Sequence, residues 1–552
     1  MIADIHITEK SFGDKTLMKD VKFSVDDGEK VGVVGRNGVG KSTLFGILAG
    51  MDNDYTGEVV FRRGITVATT AQEHHGLGEQ TVMAYILSGL PEYPELKKII
   101  YEYPLTMGDN MRKIEEYTQA LERFDQKGFY QVEEKIEREL SNFQLEGFGD
   151  RKISSLSGGQ KRLVEIVKIM HSEAHLALID EPTNHMDYVA KQQFIDWMNS
   201  QPHQAMLIIT HDRDVLGQVD RIVEIKDGQA VSYRGNYDAY LKQNAQATTA
   251  GMNNFEQIEK RIVNLKQKVL DYQRLKEKSR NPGTIQKFKR LENEARAELE
   301  ELSEMEKPTF WIDKESVGQL DYKSAERYGK FKSRNIRLSM KDASSRSQHV
   351  LVRAENVAVG IGERILFEDV NIDLREGEAI EIRGRNGAGK TTLIRMILAS
   401  GKSFDSGPVL YSGDIFLDPQ VRIGVYEQEI DERYLSDPLE KAIEKLYMSR
   451  DLSISDTKIR QLLADYLFTD ADRMTPLARL SGGQKARFQI ISMLANDPQL
   501  LVLDEPTNHL DLPSIEELET ALAKYSGAIL YVSHDNYFRE KLGGKVVQIG
   551  AE

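Results

Sequence analysis

The chain has 552 residues, of which 40% are hydrophobic and 29% are charged, so it can bury the cores of several domains. Its formal charge of -14 argues against a general polyanion binder, and the absence of cysteine excludes a disulfide framework and a cysteine-based metal site. Residues 1–15 lack the apolar segment of a signal peptide, and no apolar run reaches the ~18 residues that a bilayer requires, so we expect a cytoplasmic protein without a membrane span.

An internal repeat predicts two homologous domains. The sequence GRNGVGKST at Gly35–Thr43 returns as GRNGAGKTT at Gly384–Thr392. LSGGQK and DEPTNH also occur once in each half, in the same order. Apolar runs such as VGVVG, LALID and AMLIIT predict buried parallel strands, and hence an α/β fold for each domain.

In chain order, we predict a first α/β domain over 1–241, a linker over 242–348 and a second α/β domain over 349–552. The first domain has extra residues near 97–143, where KIEEYTQALERF and QVEEKIERELSNF are helical patterns, and we call this insert the arm. Within the linker we predict an antiparallel helical hairpin over 255–306, which joins the two repeated domains.

Apolar residues at spacings of three and four mark one seam on each helix of this hairpin. The seam residues are Ile258, Ile262, Leu265, Val269 and Tyr272 on the first helix and Ile285, Phe288, Leu291, Ala295 and Leu299 on the second. A turn at Asn281, Pro282 and Gly283 separates the helices. From Arg274 to Arg290 the hairpin tip has seven basic residues and a single acid, Glu277, so we predict a basic tip.

Two sequences of the form GxxxxGK[ST] each follow an apolar strand and precede a helical pattern, which is the context of a phosphate-binding P-loop. The glycines let backbone N–H groups surround a phosphate at a helix N-terminus, and the lysine reaches the outer phosphates. Two matches in register remove the alternative of a chance glycine turn. The candidate nucleotide-binding residues are Gly35, Asn37, Gly38, Gly40, Lys41, Ser42 and Thr43 in the first copy and Gly384, Asn386, Gly387, Gly389, Lys390, Thr391 and Thr392 in the second.

An acidic pair and a histidine follow apolar strands in both copies. The first carboxylate of each pair is placed to join a Mg²⁺ shell, and the second to polarise an attacking water. Taken singly, such residues are more often helix caps or structural histidines. We predict catalytic roles for Glu181, Glu505, His211 and His534. The candidate metal residues are Ser42, Gln72, Asp180, Thr391, Gln428 and Asp504, of which the two glutamines are the least specific.

The sequence Ser-Gly-Gly-Gln exposes backbone donors at a predicted helix start, which favours an anion site. Because this motif lies far from the P-loop of its own domain, it can act as an anion site if it covers the nucleotide that the other domain holds. These candidate residues are Ser157, Gly158, Gly159 and Gln160, and Ser481, Gly482, Gly483 and Gln484.

Together these motifs resemble the ABC ATPases, in which Walker A, Q-loop, LSGGQ signature, Walker B, D-loop and H-switch follow in this order. The resemblance covers both domains, and we therefore call them the first and second cassettes. It implies an ATPase that holds two ATP and Mg²⁺ head to tail between the cassettes of a monomer. It also implies that each P-loop faces the signature of the other cassette.

Two cassettes in one chain, without a membrane span and with a charged helical connector, resemble the ABC-F subfamily, whose members act on ribosomes. The sequence YRGNYDAY at Tyr233–Tyr240 supports this placement. The resemblance implies that the hairpin enters the ribosomal E site and contacts P-site tRNA and the peptidyl-transferase region. Basic side chains at the tip can neutralise RNA phosphates, although a solvated coiled coil is the alternative. The candidate RNA-binding residues, in rRNA or tRNA contacts, are Arg274, Lys276, Lys278, Arg280, Lys287, Lys289 and Arg290.

Two points depart from the family pattern or remain open. Phe12 stands where an aromatic residue stacks on adenine, but the second copy has Ile361 at the equivalent position. The alternatives to a translation factor are a ribosome-protection antibiotic-resistance protein of the same subfamily and the ATPase subunit of an ABC transporter. The short turn at 281–284 favours the translation factor over the resistance protein.

Overall fold

The structure is a computed structural model that describes residues 1–552 except 14, 71–78, 107, 109, 185, 305–309, 312, 319–321, 333–334, 339–348, 363, 402–407, 428–429 and 551–552. Two compact units make up the chain. The first consists of Met1–Tyr237 together with Ile336–Glu552, so it contains both cassettes, and the second is Asp238–Asn335.

The first cassette combines strands with helices, as the apolar runs and helical patterns of its sequence predict. Its strands are β1 (Ala3–Phe12), β2 (Lys15–Val25), β3 (Lys30–Val34), β4 (Thr56–Phe61), β5 (Val67–Thr69), β6 (Leu176–Asp180), β7 (Ala205–Ile209), β8 (Arg221–Lys226) and β9 (Gln229–Arg234). Its helices are α1 (Lys41–Leu48), α2 (Val82–Ser88), α3 (Tyr93–Thr106), α4 (Met111–Gln126), α5 (Val132–Asn142), α6 (Gly158–His171), α7 (Tyr188–Ser200) and α8 (Arg213–Leu216).

One sheet of the first cassette has the strand order β5-β6-β7-β3-β8-β9, in which only the β8–β9 pair is antiparallel. Strand β6 is buried along its whole length, with Leu178 in one hydrophobic cluster and Ile179 in the cluster on the opposite face. Because β3, β6 and β7 are parallel neighbours, the loops that follow them lie at one edge of the sheet. A smaller antiparallel sheet has the order β2-β1-β4.

The linker unit contains four helices within its described residues. They are α9 (Tyr237–Lys278), whose first residue belongs to the other unit, α10 (Pro282–Glu304), α11 (Lys314–Gly318) and α12 (Tyr322–Phe331). Helices α9 and α10 form the predicted hairpin, and Leu265, Val269 and Ala295 are the buried residues of its seam.

The first hairpin helix begins at Tyr237, well before the Phe255 that the seam pattern predicted. The sequence between them is rich in Ala, Gln, Asn and Thr, so it has little apolar period to detect. Met252 is nevertheless fully buried against Tyr328 and Phe331 of α12, and Asn244 Nδ2 donates to the Trp311 carbonyl at 2.8 Å. Packing within the linker unit therefore supports the helix between Tyr237 and Phe255, where the apolar periodicity of the sequence is weak.

The second cassette repeats the plan of the first. Its strands are β10 (Val350–Ile361), β11 (Arg364–Arg375), β12 (Ala379–Arg383), β13 (Pro408–Leu417), β14 (Ile423–Tyr426), β15 (Leu500–Asp504), β16 (Ala528–Val532) and β17 (Lys545–Gln548). Its helices are α13 (Lys390–Leu398), α14 (Glu432–Leu435), α15 (Leu439–Met448), α16 (Asp456–Asp465), α17 (Asp470–Arg473), α18 (Gly482–Leu494), α19 (Leu512–Ala523) and α20 (Asn536–Leu542).

The sheets of the second cassette have the orders β14-β15-β16-β12-β17, which is parallel, and β11-β10-β13, which is antiparallel. Strands β12, β15 and β16 correspond to β3, β6 and β7. The predicted fold class, two α/β cassettes joined by a helical hairpin, is confirmed. No described helix is both long enough and apolar enough to cross a membrane.

Candidate functional site

The two P-loops connect β3 to α1 and β12 to α13. Gly40 and Gly389 have φ of 103° and 97°, and an added Cβ would lie 2.7 Å from Leu17 Cδ2 at the first position and 2.9 Å from Phe367 Cε1 at the second. Glycine is therefore required there both by backbone conformation and by space. Each loop leaves its backbone N–H groups at the start of a helix, where an anion is favoured.

The P-loop lysines are buried and fold back over their own loops. Lys41 Nζ donates to the Gly35 carbonyl at 2.7 Å, and Lys390 Nζ donates to the Gly384 carbonyl at 2.9 Å. Burial lowers the pKa of both ammonium groups, against the opposing effect of nearby carboxylates that include Glu181 and Glu505. A phosphate in the loop would supply each buried ammonium with a direct anionic partner.

A hydroxyl and a carboxylate meet beside each P-loop. Ser42 Oγ donates to Asp180 Oδ2 at 3.0 Å, and Thr391 Oγ1 donates to Asp504 Oδ2 at 2.7 Å. Asp504 Oδ1 is buried and has no hydrogen-bond partner among the described residues. These oxygen atoms fit the ligand preference of Mg²⁺, which binds proteins through one or two such groups and completes its shell with phosphate and water.

The second acid of each pair adopts a left-handed backbone conformation, with φ of 46° at Glu181 and 52° at Glu505. This conformation is strained for a residue with a side chain, and such strain is concentrated at functional sites. Burial raises the pKa of Glu181 to about 8 and that of Glu505 to about 7. Both carboxyl groups can therefore gain or lose a proton near neutral pH, as a general base must.

A histidine lies beside each of these acids. His211 Nε2 is 3.5 Å from Glu181 Oε1, and His534 Nε2 is 3.3 Å from Glu505 Oε1, yet neither Nε2 makes a hydrogen bond to a described residue. Burial lowers the pKa of both histidines to about 3, so the rings are neutral. A buried ring nitrogen without a partner is suited to contact an incoming phosphate or water.

The signature motifs start helices α6 and α18 with identical capping boxes. Ser157 Oγ accepts from Gln160 N at 3.3 Å, and Ser157 N donates to Gln160 Oε1 at 2.9 Å. Ser481 and Gln484 repeat both bonds at the same distances. The caps fix the Ser-Gly-Gly backbone at a helix N-terminus, where its N–H groups favour an anion.

Contacts between the cassettes place each P-loop against the other cassette. Asn37 Nδ2 donates to the His509 carbonyl at 2.9 Å, and an added Cβ on Gly483 would lie 2.2 Å from Asn37 Nδ2. On the other side, Asn386 N donates to Asp187 Oδ2 at 3.2 Å. Each P-loop thus contacts the segment that follows Walker B in the other cassette, and the first P-loop also lies against the signature of the second cassette.

A cavity of about 1510 Å³ contains both sites. Its lining includes both P-loops, both Walker B pairs, both histidines and both signatures. Phe12 and Ile361 also line it and are about half exposed, at 55% and 53%. Gln72 and Gln428, the two remaining candidates, lie outside the described residues.

Two polar residues of the cavity wall were missed by the sequence reasoning. Gln144 donates to Asp187 Oδ2 at 2.6 Å, and Lys191 donates to the His534 carbonyl at 3.0 Å across the cassette interface. Neither residue belongs to a repeated motif. Their counterparts in the second cassette, Leu467 and Ile515, are apolar, and this difference between the copies was the only sequence feature that could have drawn attention to them. It can be recognised only after the fold has shown which positions correspond.

The tip of the hairpin is basic and exposed, as predicted. Tyr272 and Phe288 pack against each other with ring centroids 6.3 Å apart, in agreement with a role in the hairpin core. Lys276 pairs with the buried Glu292 of α10 at 2.6 Å, and Arg290 is 3.4 Å from Glu294. The other five candidates, which are exposed and form no ion pair with a described residue, are Arg274, Lys278, Arg280, Lys287 and Lys289.

Comparison with known proteins agrees with this geometry. The family model described as ABC transporter matches residues 18–184 and 367–508. ABC transporter F family member 2 of Arabidopsis thaliana is 29% identical over 98% of this chain and 74% of its own length. Ribosome protection protein VmlR of Bacillus subtilis (strain 168) is 27% identical over 96% of this chain and 83% of its own length.

Two further matches extend over nearly the whole chain. Energy-dependent translational throttle protein EttA of Mycobacterium tuberculosis (strain CDC 1551 / Oshkosh) is 28% identical over 96% of this chain and 88% of its own length. The solved structure of RNase-L Inhibitor has a TM-score of 0.57 over 99% of this chain and 88% of that chain. At 17% identity, this last match is a similarity of fold.

Proposed function

The chain belongs to the ABC transporter family of ATPases, within its F subfamily, and we propose on that basis that it binds and hydrolyses ATP at two sites. The first site combines the P-loop and catalytic pair of the first cassette with the signature Ser481–Gln484. The second combines those of the second cassette with the signature Ser157–Gln160. Bound Mg²⁺ would neutralise phosphate charge at each site.

At each site the residues have separate roles in the proposed reaction. Lys41 and Lys390 bind the outer phosphates with the P-loop N–H groups. The Ser42–Asp180 pair and its counterpart Thr391–Asp504 hold the Mg²⁺. The catalytic acids Glu181 and Glu505 accept a proton from the attacking water. The neutral rings of His211 and His534, which lie beside these acids, would contact the γ-phosphate.

The proposed partner is the ribosome, bound in the cytoplasm by a single copy of the chain. The observation that supports this is the exposed basic tip of the hairpin, in a protein whose overall net charge is -14. Relatives that are similar over almost the whole chain include a ribosome protection protein and a translational throttle protein. We place the hairpin in the E site, with its tip against P-site tRNA and the peptidyl-transferase region.

The proposed task is that of a translation factor, in which ATP binding favours the ribosome-bound state and hydrolysis releases it. A ribosome-protection role against antibiotics is the second candidate, favoured by the likeness to VmlR. The turn between α9 and α10 is short, since α9 ends at Lys278 and α10 begins at Pro282. A short tip extends less far along the peptidyl-transferase region, and on this ground we favour the translation factor.

Sedimentation with ribosomes tests the proposal. We expect the Glu181→Gln, Glu505→Gln double variant to bind ATP without hydrolysing it and to remain on ribosomes in the presence of ATP. In that background, neutralising Arg280, Lys287 and Lys289 to glutamine should weaken the association and make it less sensitive to salt, because phosphate contacts are lost.

A matched control neutralises three exposed lysines of α9 that lie away from the tip, Lys260, Lys266 and Lys268. The control removes the same charge, so we expect it to bind ribosomes as the parent does. An equal loss of binding in both triple variants would refute a specific role for the tip. Absence of any ATP-dependent association of the double variant would refute the ribosome as partner.

A further inference from the structure

A buried lysine lies against Phe12, the aromatic residue at the wall of the cavity that contains the first P-loop. Lys10 Nζ is 4.7 Å from the centroid of the Phe12 ring. Phe12 lines the cavity and is 55% exposed, whereas Lys10 is 2% exposed and does not line it. The ammonium therefore covers the ring from the protein interior, and the ring remains open to the cavity.

Three oxygen atoms of one turn hold the ammonium of Lys10. Its Nζ donates to the Asp54 carbonyl at 2.6 Å, to Asp52 Oδ1 at 3.0 Å and to Asp54 Oδ2 at 3.4 Å. This turn follows α1 and is joined to it, because Asp52 N donates to the Gly46 carbonyl at 3.1 Å. The P-loop leads into the other end of α1, so one helix connects the P-loop to the turn that holds Lys10.

A cation against one face of an aromatic ring restricts the motion of that ring. The negative face of the ring attracts the ammonium electrostatically. An exposed side chain without such a contact changes rotamer on the picosecond to nanosecond timescale, and a ligand that stacks on it must stop this motion. Phe12 is about half exposed, but its contact with Lys10 favours one orientation of the ring before a ligand binds. A ring that is held in advance can bind a flat ligand at a lower entropic cost.

The second cassette lacks both the ring and the cation. Strands β1 and β10 end at equivalent positions, since each is followed directly by a glycine with positive φ, 56° at Gly13 and 60° at Gly362. The last residue of β10 is Ile361, and the residue two places before it, where β1 has the lysine, is the fully buried Val359. The lysine therefore occurs in the copy that has the aromatic ring.

We propose that Lys10 is a positioning residue for the nucleobase at the first ATP site, because it holds the Phe12 ring in the orientation on which the base stacks. The proposal rests on the proposed binding of ATP at this site. The P-loop binds the triphosphate at the start of α1, and the turn after α1 holds Lys10 behind the ring. A lysine that only stabilised the turn would affect ligands with and without a base in the same way.

Titration calorimetry with ATP and with tripolyphosphate, which has no base, distinguishes these roles in the presence of Mg²⁺. The parent protein is the full chain with Glu181→Gln, which prevents hydrolysis at the first site, and Lys390→Ala, which removes binding at the second. We expect Phe12→Ala to weaken ATP binding about fivefold and Lys10→Met to weaken it about threefold. Both variants should leave the affinity for tripolyphosphate unchanged, because the P-loop is intact.

Two comparisons show whether Lys10 acts through Phe12. The Lys10→Met, Phe12→Ala double variant should bind ATP no more weakly than Phe12→Ala alone, because without the ring the cation has nothing to position. In the complementary parent, with Glu505→Gln and Lys41→Ala, only the second site binds, and Lys10→Met should leave its ATP affinity unchanged. Lys10→Gln, which carries no charge but keeps a donor for the turn, provides the same test if Lys10→Met fails to fold.

Equal weakening of ATP and tripolyphosphate binding by Lys10→Met, an additive effect in the double variant, or a change at the second site would overturn the role of Lys10 in positioning the base. An unchanged affinity for ATP in Lys10→Met, while Phe12→Ala weakens it, would also overturn this role alone. If Phe12→Ala itself has no effect, the adenine contact is overturned together with the inference. Failure of the parent to bind either ligand would overturn the proposed function as well.

Discussion

Replacing Glu505 by glutamine should stabilise the nucleotide-free protein at alkaline pH. Glu505 is 7% exposed, and its Oε1 has no hydrogen-bond partner among the described residues. Burial raises its pKa from the ordinary 4.5 to about 7. Glutamine has nearly the same shape as the protonated acid but carries no charge at any pH, so the variant isolates the free energy of ionising this buried group.

The sign and size follow from proton linkage. Below the ordinary pKa the folded and unfolded states both hold the proton, and Glu505 adds no pH dependence. As pH rises, the unfolded state loses the proton first, so wild-type stability falls until the pH passes the folded pKa near 7. The interval between the two pKa values corresponds to about 3 kcal/mol. Glu505→Gln should therefore exceed wild type by less than about 1 kcal/mol near pH 5 and by about 3 kcal/mol near pH 8.5.

Urea unfolding of the nucleotide-free protein, followed by circular dichroism at several pH values, measures this difference. Because both proteins share every other titrating group, the difference between the two curves isolates Glu505. Glu300→Gln, at an exposed position of the hairpin, provides a control in which the difference should stay near zero throughout. A difference for Glu505→Gln that does not change between pH 5 and 8.5 would refute the raised pKa.

Two further predictions concern the adenine contact and the hairpin. Phe12→Ala should raise the KM for ATP of the first site several-fold, because a ring at the cavity wall is lost. Ile361→Ala should change the KM for ATP of the second site by less than twofold. Measuring turnover in proteins that carry only Glu181→Gln or only Glu505→Gln separates the two sites. Neutralising Arg280, Lys287 and Lys289 should abolish ribosome stimulation of the ATPase while basal turnover stays unchanged. Equal effects of Phe12→Ala and Ile361→Ala would contradict the adenine contact of Phe12. Loss of basal turnover in the tip variant would contradict a role of the tip in ribosome binding alone.

The candidate nucleotide sites could be predicted from the sequence because the chemistry of such sites is local. A P-loop needs its glycines, lysine and hydroxyl within a few consecutive residues, since they surround one phosphate. The parallel strand order then brings Asp180, Glu181 and His211 to the same sheet edge, which the apolar runs before them predict. Repetition of the set in the second cassette removed the ambiguity that each motif has alone.

The outer part of the hairpin was also predictable, because its apolar seam repeats with a helical period that the local sequence shows. Its first helix extends back to Tyr237, and that part depends on contacts that no local pattern reports. Met252 is buried by α12, which lies far along the chain. The left-handed backbone of Glu181 and Glu505 was also beyond prediction, because glutamate has no preference for that conformation and the surrounding fold imposes it.

Gln144 and Lys191 show where repeat-based reasoning stops, because their counterparts in the second cassette are the apolar Leu467 and Ile515. Matching motifs made the cassettes look equivalent, since the P-loop, the signature, the acidic pair and the histidine all recur in register. The residues that differ, Gln144 and Lys191, contact a carboxylate and a carbonyl instead, so nucleotide chemistry does not constrain their type. At positions of this kind two copies of one domain can diverge without loss of ATP binding.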